Sequence, residues 1–188
     1  MRRKTENREL GRLSTTGYRN TPKTPLIIVL DNIRSLNNTG SIFRIADAFR
    51  CQEIYLCGIT ACPPHREIHK TALGATESVA WRYFASPLDA IIKLKEDEYK
   101  IFGLEQTDDS RYLHQFSESG IEKAAVVLGN EIHGLSEEIL NLMDMCLEIP
   151  QFGTKHSLNV AVSAGIVIWH FYDHFPMFKN LRTLRRSG

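Results

Sequence analysis

Short apolar segments of strand length alternate along this 188-residue chain with segments whose apolar residues recur at helical spacing. The first apolar run, at residues 25–30, is continuous, as in a strand buried on both faces of a sheet, and Asp31 and Asn32 end it. Alternating strands and helices predict one α/β domain with a mostly parallel sheet and helices on both faces. Five further runs predict additional strands, at residues 53–58, 79–84, 99–104, 124–128 and 146–150.

Helical spacing follows most of these runs, and polar residues stand where the helices would begin. Asn38 or Thr39 is available to cap the first helix, Ser86 precedes the second, and Ser136 opens the third. Ser157 is available to cap a long and mostly apolar fourth helix. The helices are predicted at residues 38–49, 87–95, 136–143 and 157–172.

Composition places the chain among ordinary soluble globular proteins, because 43% of its residues are hydrophobic and 24% are charged. No apolar run approaches the roughly 20 residues of a membrane helix, and the first ten residues contain no hydrophobic stretch of a signal peptide. Four unevenly spaced cysteines do not resemble a disulfide framework. We therefore expect a cytoplasmic protein with reduced thiols.

Basic residues concentrate at the two ends of the chain. Residues 1–23 carry seven Lys or Arg against two Glu, and residues 179–188 carry four Lys or Arg and no acid. Such ends favour a polyanion such as RNA, since each cation placed against a phosphate releases counterions, although they would equally serve solubility. The expected organisation is a basic arm at 1–24, a catalytic domain at 25–174 and a basic tail at 175–188.

Several common catalytic motifs are absent from the sequence. It contains no phosphate-binding G-x-x-x-x-G-K-[ST] loop, no G-x-G-x-x-G dinucleotide turn and no G-x-S-x-G nucleophile elbow. A kinase, a dehydrogenase and a serine hydrolase are therefore disfavoured. Three polar clusters instead follow predicted strands, at the sheet edge where open α/β sheets bind ligands.

The first two clusters pair polar residues with glycines. In residues 37–44, Asn38 and Arg44 lie about 9 Å apart along a helix axis, so Arg44 either reaches toward a ligand or is an ordinary surface arginine. In residues 128–136, Glu131 stands between Gly129 and Gly134, which would allow close approach of a ligand or make a tight turn.

The third cluster covers residues 149–161. A strand leads into a loop that contains Gly153, and the following helix opens with Ser157 and Asn159. Ser157 has the usual properties of a helix cap. Asn159 is placed inside the first turn, where a weak helix former needs another explanation.

Together these clusters resemble the SpoU/TrmH branch of the SPOUT superfamily, the S-adenosylmethionine-dependent RNA 2′-O-ribose methyltransferases. The resemblance covers about residues 25–172. It rests on N-x-G-x-x-x-R from Asn38 to Arg44, GNE-x-x-G from Gly129 to Gly134, and IP-x-x-G-x-x-x-SLNV from Ile149. Each motif is modest, but the three in this order are a specific combination.

The resemblance implies a C-terminal trefoil knot, an exception to the rule that folds are unknotted. It also implies a homodimer with the last helix at its interface and an RNA site shared between the subunits. S-adenosylmethionine would be the cofactor, held in the knot by three loops. The residues implied in cofactor binding are Leu104, Gly129, Asn130, Ile149, Gly153 and Leu158.

The same resemblance implies catalytic roles for five residues. Arg44 would pair with an RNA phosphate and stabilise the developing 2′-oxyanion, because a guanidinium is a poor general base. Asn38 and Asn159 would hold Arg44 and the substrate. Glu131 would orient the loop or a ribose, and Ser157 would bind phosphate or backbone at the helix N-terminus.

Two readings from other classes compete with the enzyme. Cys57, Cys62, His65 and His69 have metal-ligand residue types at short spacing and could form a zinc-binding module, although Pro63-Pro64 stiffens the loop. An RNA-binding protein without catalysis is disfavoured because the motif residues are intact. We expect RNA as the partner, with tRNA favoured over rRNA on fold-level analogy, and neither a metal nor a membrane.

Overall fold

A seven-stranded parallel sheet organises the chain in the computed structural model, which describes residues 3, 4, 6, 9, 11–117 and 120–175. The strand order is β3-β2-β1-β6-β4-β7-β5, and every neighbouring pair is parallel. The strands are β1 (Thr24–Asp31), β2 (Cys51–Cys57), β3 (Trp81–Phe84), β4 (Lys100–Leu104), β5 (Arg111–Tyr112), β6 (Ala124–Leu128) and β7 (Met145–Glu148). All six predicted strands are confirmed, and β5 is additional.

Seven α-helices and a short 3-10 helix (Leu113–Gln115) accompany the described strands; α1 precedes β1, and α7 follows β7. Ser86 and Ser136 cap their helices as expected, through hydrogen bonds from the amides of Leu88 and Ile139. The α-helices are α1 (Thr15–Asn20), α2 (Leu36–Ala48), α3 (Arg66–Ala72), α4 (Ala75–Ser78), α5 (Pro87–Glu96), α6 (Glu137–Leu140) and α7 (Val160–His174).

The predicted starts of two helices are wrong. Ser35 caps α2 by accepting a hydrogen bond from the Asn38 amide, so neither Asn38 nor Thr39 is the cap. Asn159 caps α7 by accepting from the amides of Ala161 and Val162, so Ser157 lies before the helix and Asn159 is not inside its first turn. Both errors have the same cause. Ser35 competes with Asn38 and Thr39, and Asn159 competes with Ser157, and all of these residue types are common helix caps.

Helices cover both faces of the sheet, as the sequence predicted. Successive residues of a strand point to opposite sides, so a continuously apolar strand needs a helix layer on each side. On one face Leu26, Ile28 and Leu30 of β1 join a core shared with α2 and α7. On the other face Ile27 and Val29 pack with α5 and α6. The continuous apolar run of β1 is therefore buried on both sides.

Part of the predicted basic arm packs against the domain. Helix α1 is capped by Ser14, and Tyr18 from this helix is buried within the first core. Arg19 donates hydrogen bonds to the carbonyl of Glu77 in α4. The predicted basic tail at 175–188 lies outside the described residues except for Phe175, which is buried.

The four cysteines are free, in agreement with the expected reduced thiols. Within the described part of the chain, we find no helix with the length and apolar character needed to cross a membrane. At the carboxyl edge of the sheet, the connection from β4 to β5 spans residues 105–110 and joins strands on opposite sides of β7. The chain leaving β7 therefore passes next to this connection on its way to α7.

Candidate active site

A cavity of about 560 Å³ opens at the carboxyl ends of β4, β6 and β7. Its walls come from the segments that directly follow these strands and from the start of α7. Loops at the carboxyl edge of a parallel sheet can converge on one ligand, which is why open α/β sheets bind ligands at this edge. The lining residues include Leu104 to Gln106, Gly129 to Gly134, Ile149, Gln151 and His156 to Val160.

Glu131 connects two of the polar clusters that the sequence singled out. Its carboxylate accepts hydrogen bonds from the backbone amides of Arg34 at 2.9 Å and Ser35 at 3.1 Å. It also accepts from the Asn38 Nδ2 group at 3.1 Å. The β6 loop is thereby tied to the β1–α2 loop, 93 residues away in sequence at Asn38.

Asn38 carries the connection on to the third cluster. Its Oδ1 atom accepts a hydrogen bond from Asn159 Nδ2 at 3.1 Å. The Asn159 Oδ1 atom faces the other way and accepts from the Ala161 amide at 3.0 Å. Glu131, Asn38 and Asn159 therefore form one hydrogen-bonded chain across three loops, and we call it the Glu131–Asn38–Asn159 chain.

Hydrogen bonding determines the ionisation of Glu131. Its partial burial alone would raise the pKa, but the hydrogen bonds from Arg34, Ser35 and Asn38 outweigh burial and lower the pKa below its usual value. The group is thus a carboxylate at neutral pH. A charged acceptor makes stronger hydrogen bonds than a neutral one, so this anion stabilises the junction of the loops.

The turn that carries Glu131 is held from within by Asn130. The Asn130 side chain donates to the Asn32 carbonyl at 2.7 Å and accepts from the Ile132 amide at 2.9 Å. Gly134 closes the turn at a φ of +65°, and its amide donates to the Asn130 carbonyl at 2.9 Å. A Cβ atom on Gly129 would overlap the Gly134 backbone, so this turn requires a glycine at 129 as well.

Arg44 faces a different cavity. It is exposed on α2 and lines a space of about 1020 Å³ between the arm, α2 and α7. The same space is lined by Arg12, Arg50 and the aromatic residues Trp169 and Tyr172. Among the described residues, no acceptor pairs with the Arg44 guanidinium, which leaves this cation available to an anion. We call this space the arginine cavity and the first one the carboxylate cavity.

The structure brings most of the predicted site residues together. Glu131, Ser157 and Asn159 line the carboxylate cavity, and the Asn38 side chain hydrogen-bonds to both Glu131 and Asn159. Of the residues implied in cofactor binding, five line this cavity: Leu104, Gly129, Asn130, Ile149 and Leu158. Gly153 lies outside its lining, within an exposed stretch of the β7–α7 loop, and Arg44 lies in the arginine cavity.

Sequence reasoning missed Glu105, which lines the carboxylate cavity directly after β4. Its carboxylate accepts a hydrogen bond from the Leu135 amide at 3.0 Å. A polar residue at the exit of a buried strand was the signal used for the other three clusters. Applied to the predicted strand at 99–104, the same rule would have selected Glu105.

The zinc-binding reading receives no support from the geometry. Cys57 is buried in β2, and His65 caps α3 through its Nδ1 atom, which accepts from the Glu67 amide at 3.2 Å. The described residues include all four proposed ligands and contain no group of three or more side chains placed to hold a metal ion. His65 therefore has a structural role as a helix cap.

A parallel α/β sheet whose loops converge on a cavity at its carboxyl edge is the arrangement of many ligand-binding α/β proteins, and comparison with known families identifies the family. The chain belongs to the SpoU rRNA Methylase family, which matches residues 25–169. The resemblance found in the three sequence motifs is thus confirmed.

Two curated relatives illustrate the likeness. The chain is 32% identical over 149 residues to the 23S rRNA (guanosine-2′-O-)-methyltransferase RlmB of Neisseria meningitidis, which covers 79% of this chain and 58% of that protein. It is 31% identical over 148 residues to the tRNA (guanosine(18)-2′-O)-methyltransferase of Aquifex aeolicus, covering 77% of this chain and 67% of that protein. The chain thus spans little more than half of the meningococcal relative.

Solved structures share the fold. An AdoMet-bound rRNA methyltransferase from Sinorhizobium meliloti superposes with a TM-score of 0.74 at 24% identity, covering 84% of this chain and 60% of that one. The AviRb methyltransferase of Streptomyces viridochromogenes in complex with AdoMet gives 0.73 at 22% identity, covering 90% and 64%. At these identities the likeness establishes the α/β fold with its parallel sheet.

Proposed function

We propose that this chain is a cytoplasmic RNA methyltransferase that transfers a methyl group from S-adenosylmethionine to a ribose 2′-hydroxyl. Family membership supports the class of reaction. In the structure, the proposal is carried by the Glu131–Asn38–Asn159 chain. Its hydrogen bonds bring the three sequence motifs together at one cavity. Four free thiols agree with a reducing compartment.

The carboxylate cavity fits the proposed cofactor in size and chemistry. Its volume of about 560 Å³ lies within the range of small-molecule sites. Glu105, Glu131 and Glu148 line it, and no Lys or Arg is among the described residues around it, which favours a cationic ligand such as a sulfonium. When bound, the donor supplies an electrophilic methyl group. Leu104, Gly129, Asn130, Ile149 and Leu158 would hold it.

The remaining tasks are to place the ribose hydroxyl and to dispose of its proton. Glu131 fixes the loop geometry. The Asn38 side chain donates to Glu131 and accepts from Asn159, so both amide side chains are held in one orientation. Ser157 lies at the cavity two residues before the α7 cap, where its hydroxyl is available to a phosphate or ribose oxygen. We propose that these residues orient the substrate, because correct placement lowers the barrier without new chemistry.

Arg44 is proposed to bind an RNA phosphate and to stabilise the developing 2′-oxyanion. Its guanidinium is exposed and shares its cavity with Arg12 and Arg50, so this surface attracts the polyanion. Trp169, with 49% of its surface exposed, offers an aromatic face beside these cations. The described lining of the carboxylate cavity contains neither an arginine nor a tryptophan. We therefore propose that RNA phosphate binds at the arginine cavity and the methyl donor at the carboxylate cavity.

A homodimer would bring the two kinds of cavity together, and we propose one built on α7. Val162 is 51% exposed and Ile166 is 39% exposed, four residues apart on one helix face. Phe152, on the β7–α7 loop, is a further large apolar residue with 95% of its surface exposed. Exposed apolar patches of this kind are typical of protein interfaces.

The dimer is tested by introducing a charge into the α7 face. Ile166→Glu should convert the dimer into a monomer in size-exclusion chromatography with light scattering, because a buried unpaired carboxylate is costly. Ile92→Glu, at a similarly exposed residue on α5, is the matched control and should leave the assembly unchanged. A wild-type monomer, or a dimer that survives Ile166→Glu, contradicts the α7 interface.

We also propose that the chain is knotted near its C-terminal helix. The 105–110 connection joins β4 to β5 across β7, and Ser110 of this connection donates to the Glu148 carboxylate at the end of β7 at 2.9 Å. This path supports a chain threaded through a loop before α7 begins.

We propose tRNA as the first substrate and rRNA as the alternative, since the curated relatives include methyltransferases named for each. The test is incubation of the protein and S-adenosylmethionine with unmodified tRNA and rRNA transcripts, followed by nucleoside mass spectrometry. A 2′-O-methyl nucleotide in either pool supports the activity and identifies the substrate. Methylation on a base, or none in either pool, contradicts it.

A further inference from the structure

Glu105 links two of the loops around the carboxylate cavity. It follows β4 directly, and its Oε2 atom accepts a hydrogen bond from the Leu135 amide at 3.0 Å. Its Oε1 atom accepts from the Gln106 amide at 3.1 Å. Both carboxylate oxygens are therefore engaged with backbone, one on the β6 loop and one on the β4 loop. None of the three sequence motifs contains this residue.

Gly134 is shaped to receive Glu105. Its backbone has a positive φ of +65°, and a Cβ atom built there would overlap the Glu105 Oε2 atom. The positive φ favours a glycine at 134, and a Cβ atom there would displace the Glu105 carboxylate from its present position. The close approach lets the carboxylate reach the next amide along the chain, that of Leu135.

The turn at 129–135 is consequently held by a carboxylate on each side. Glu131 fastens it to the β1–α2 loop through the amides of Arg34 and Ser35, and Glu105 fastens it to the β4 loop through the amide of Leu135. Between these two attachments lies Ile132, 64% exposed, at the wall of the cavity. Releasing either attachment frees one side of a wall.

We propose that Glu105 is a positioning residue that sets the shape of the cofactor-binding wall at 129–135. This rests on the proposed function in one respect, that the carboxylate cavity holds the methyl donor. The Glu105 carboxylate acts through the Leu135 and Gln106 amides. Loss of this carboxylate therefore lowers the affinity for the donor more than it lowers the rate of methyl transfer at saturating donor. RNA affinity is unchanged, because the arginine cavity is built from other elements.

The first test measures binding of S-adenosylhomocysteine, the demethylated product, by calorimetry. Glu105→Ala should weaken binding about 10- to 100-fold, the effect of losing hydrogen bonds to a charged acceptor. Glu105→Gln keeps one acceptor oxygen and should fall between wild type and Ala. Glu96→Gln, which removes a charge from an exposed site on α5, should bind as wild type does. Thermal denaturation of each variant checks folding, and the Gln variant carries the test if the Ala variant does not fold.

A KM-against-kcat split separates positioning from a general structural role. Glu105→Gln should raise the KM for the donor while kcat changes by less than about threefold, since uniform binding is what is lost. A fall in kcat with an unchanged KM overturns the proposal. If wild type binds no product at all, the proposed function fails and not the role of Glu105, so the two failures are distinguishable.

The Glu105–Gly134 pair provides a sharper test by double-mutant cycle. Gly134→Ala should weaken product binding strongly in the wild-type background, where the new Cβ meets the carboxylate. In the Glu105→Ala background the carboxylate is gone, so Gly134→Ala should cause a smaller further loss, limited to the positive φ. Strictly additive effects of the two substitutions would show that Glu105 does not act through this turn.

Discussion

The carboxylate cavity and the arginine cavity differ in both charge and construction. The first is lined by Glu105, Glu131 and Glu148, while the second is lined by Arg12, Arg44 and Arg50. In the second, Asp47 and Glu77 only partly offset the arginines. The two proposed ligands, a cationic methyl donor and a polyanion, would each meet a field of complementary charge in a different cavity.

The two cavities also differ in how firmly their side chains are held. Glu131, Asn38 and Asn159 are tied to one another or to backbone amides by hydrogen bonds of 2.9 to 3.1 Å. Arg44 is exposed and projects from α2 without a partner among the described residues. A fixed wall suits a small cofactor that must be oriented, whereas exposed cations suit a long ligand that brings its own geometry.

The largest effect is expected from Arg44→Ala, which removes a cation from the arginine cavity. Methyl transfer to RNA should fall by at least about 100-fold, as when a donor to a developing oxyanion is removed. Product binding in the other cavity should stay at the wild-type level. Single-turnover kinetics with tritiated donor measures the first quantity. Arg82→Ala is not a suitable control, because Arg82 pairs with Glu53 at 2.7 Å. Arg66→Ala, at an exposed residue of α3, serves instead.

The next largest effect is expected from Glu131→Gln. An amide cannot accept from two backbone amides and Asn38 at once without directing its own NH2 group at a donor, so one or more bonds are lost. Donor affinity should fall about 10- to 100-fold. Affinity for RNA, measured by fluorescence anisotropy in the absence of donor, should not change. If RNA affinity fell as far as donor affinity, the two cavities would act as one site, and their proposed separation would be wrong.

A smaller effect separates the two functions of Asn159. Asn159→Ala removes the α7 cap and should lower the free energy of unfolding by about 1 kcal/mol. Asn159→Asp keeps a capping oxygen for the Ala161 amide but loses the donor to Asn38, so it should retain stability while transfer slows. Denaturant unfolding and turnover of both variants measure the difference. Equal stability losses in both would mean that the bond to Asn38, rather than the cap, stabilises α7.

The smallest effect concerns pH. The pKa of Glu131 is lowered in the folded protein, so its stabilising contribution is fully present above the ordinary value of about 4.3 and is lost only as pH falls through the lower folded value. Donor affinity should therefore be flat from pH 8 to about pH 5, as far as Glu131 governs it. Calorimetry across this range measures it. A decline that begins near pH 6 and disappears in Glu131→Gln would contradict the lowered pKa.

The fold was predictable because its signals are local. The apolar run of β6 was predicted at 124–128 and is found at Ala124–Leu128, since a buried strand needs no partner to be recognised. β5 consists of only Arg111–Tyr112, both exposed, and offers no apolar pattern. The segment that forms α1 was expected only as part of a basic arm, because the burial of Tyr18 depends on α2 and α4 rather than on its own neighbours.

Most of the predicted site residues lie around the carboxylate cavity, but Gly153 and Arg44 do not, and the hydrogen bonds that connect the loops were not predictable. Glu131 stood out because an acid between glycines is poorly suited to packing. That its partners would be the amides of Arg34 and Ser35 depends on which strands are adjacent, and β1 pairs with β6, with Leu26 opposite Ala124, although the two strands are far apart in sequence. The separate location of Arg44 follows from helix geometry, because Asn38 and Arg44 both lie in α2 and a spacing of six residues places their side chains about 120° apart around the axis.

The separation of the two cavities is tested most directly by titrating S-adenosylhomocysteine into three proteins, the wild type, Arg44→Ala and Glu131→Gln. A donor held only by the carboxylate cavity predicts wild-type affinity for Arg44→Ala and about 10- to 100-fold weaker binding for Glu131→Gln. Equal weakening in both variants would contradict it, since the cation and the carboxylate would then belong to a single cofactor site.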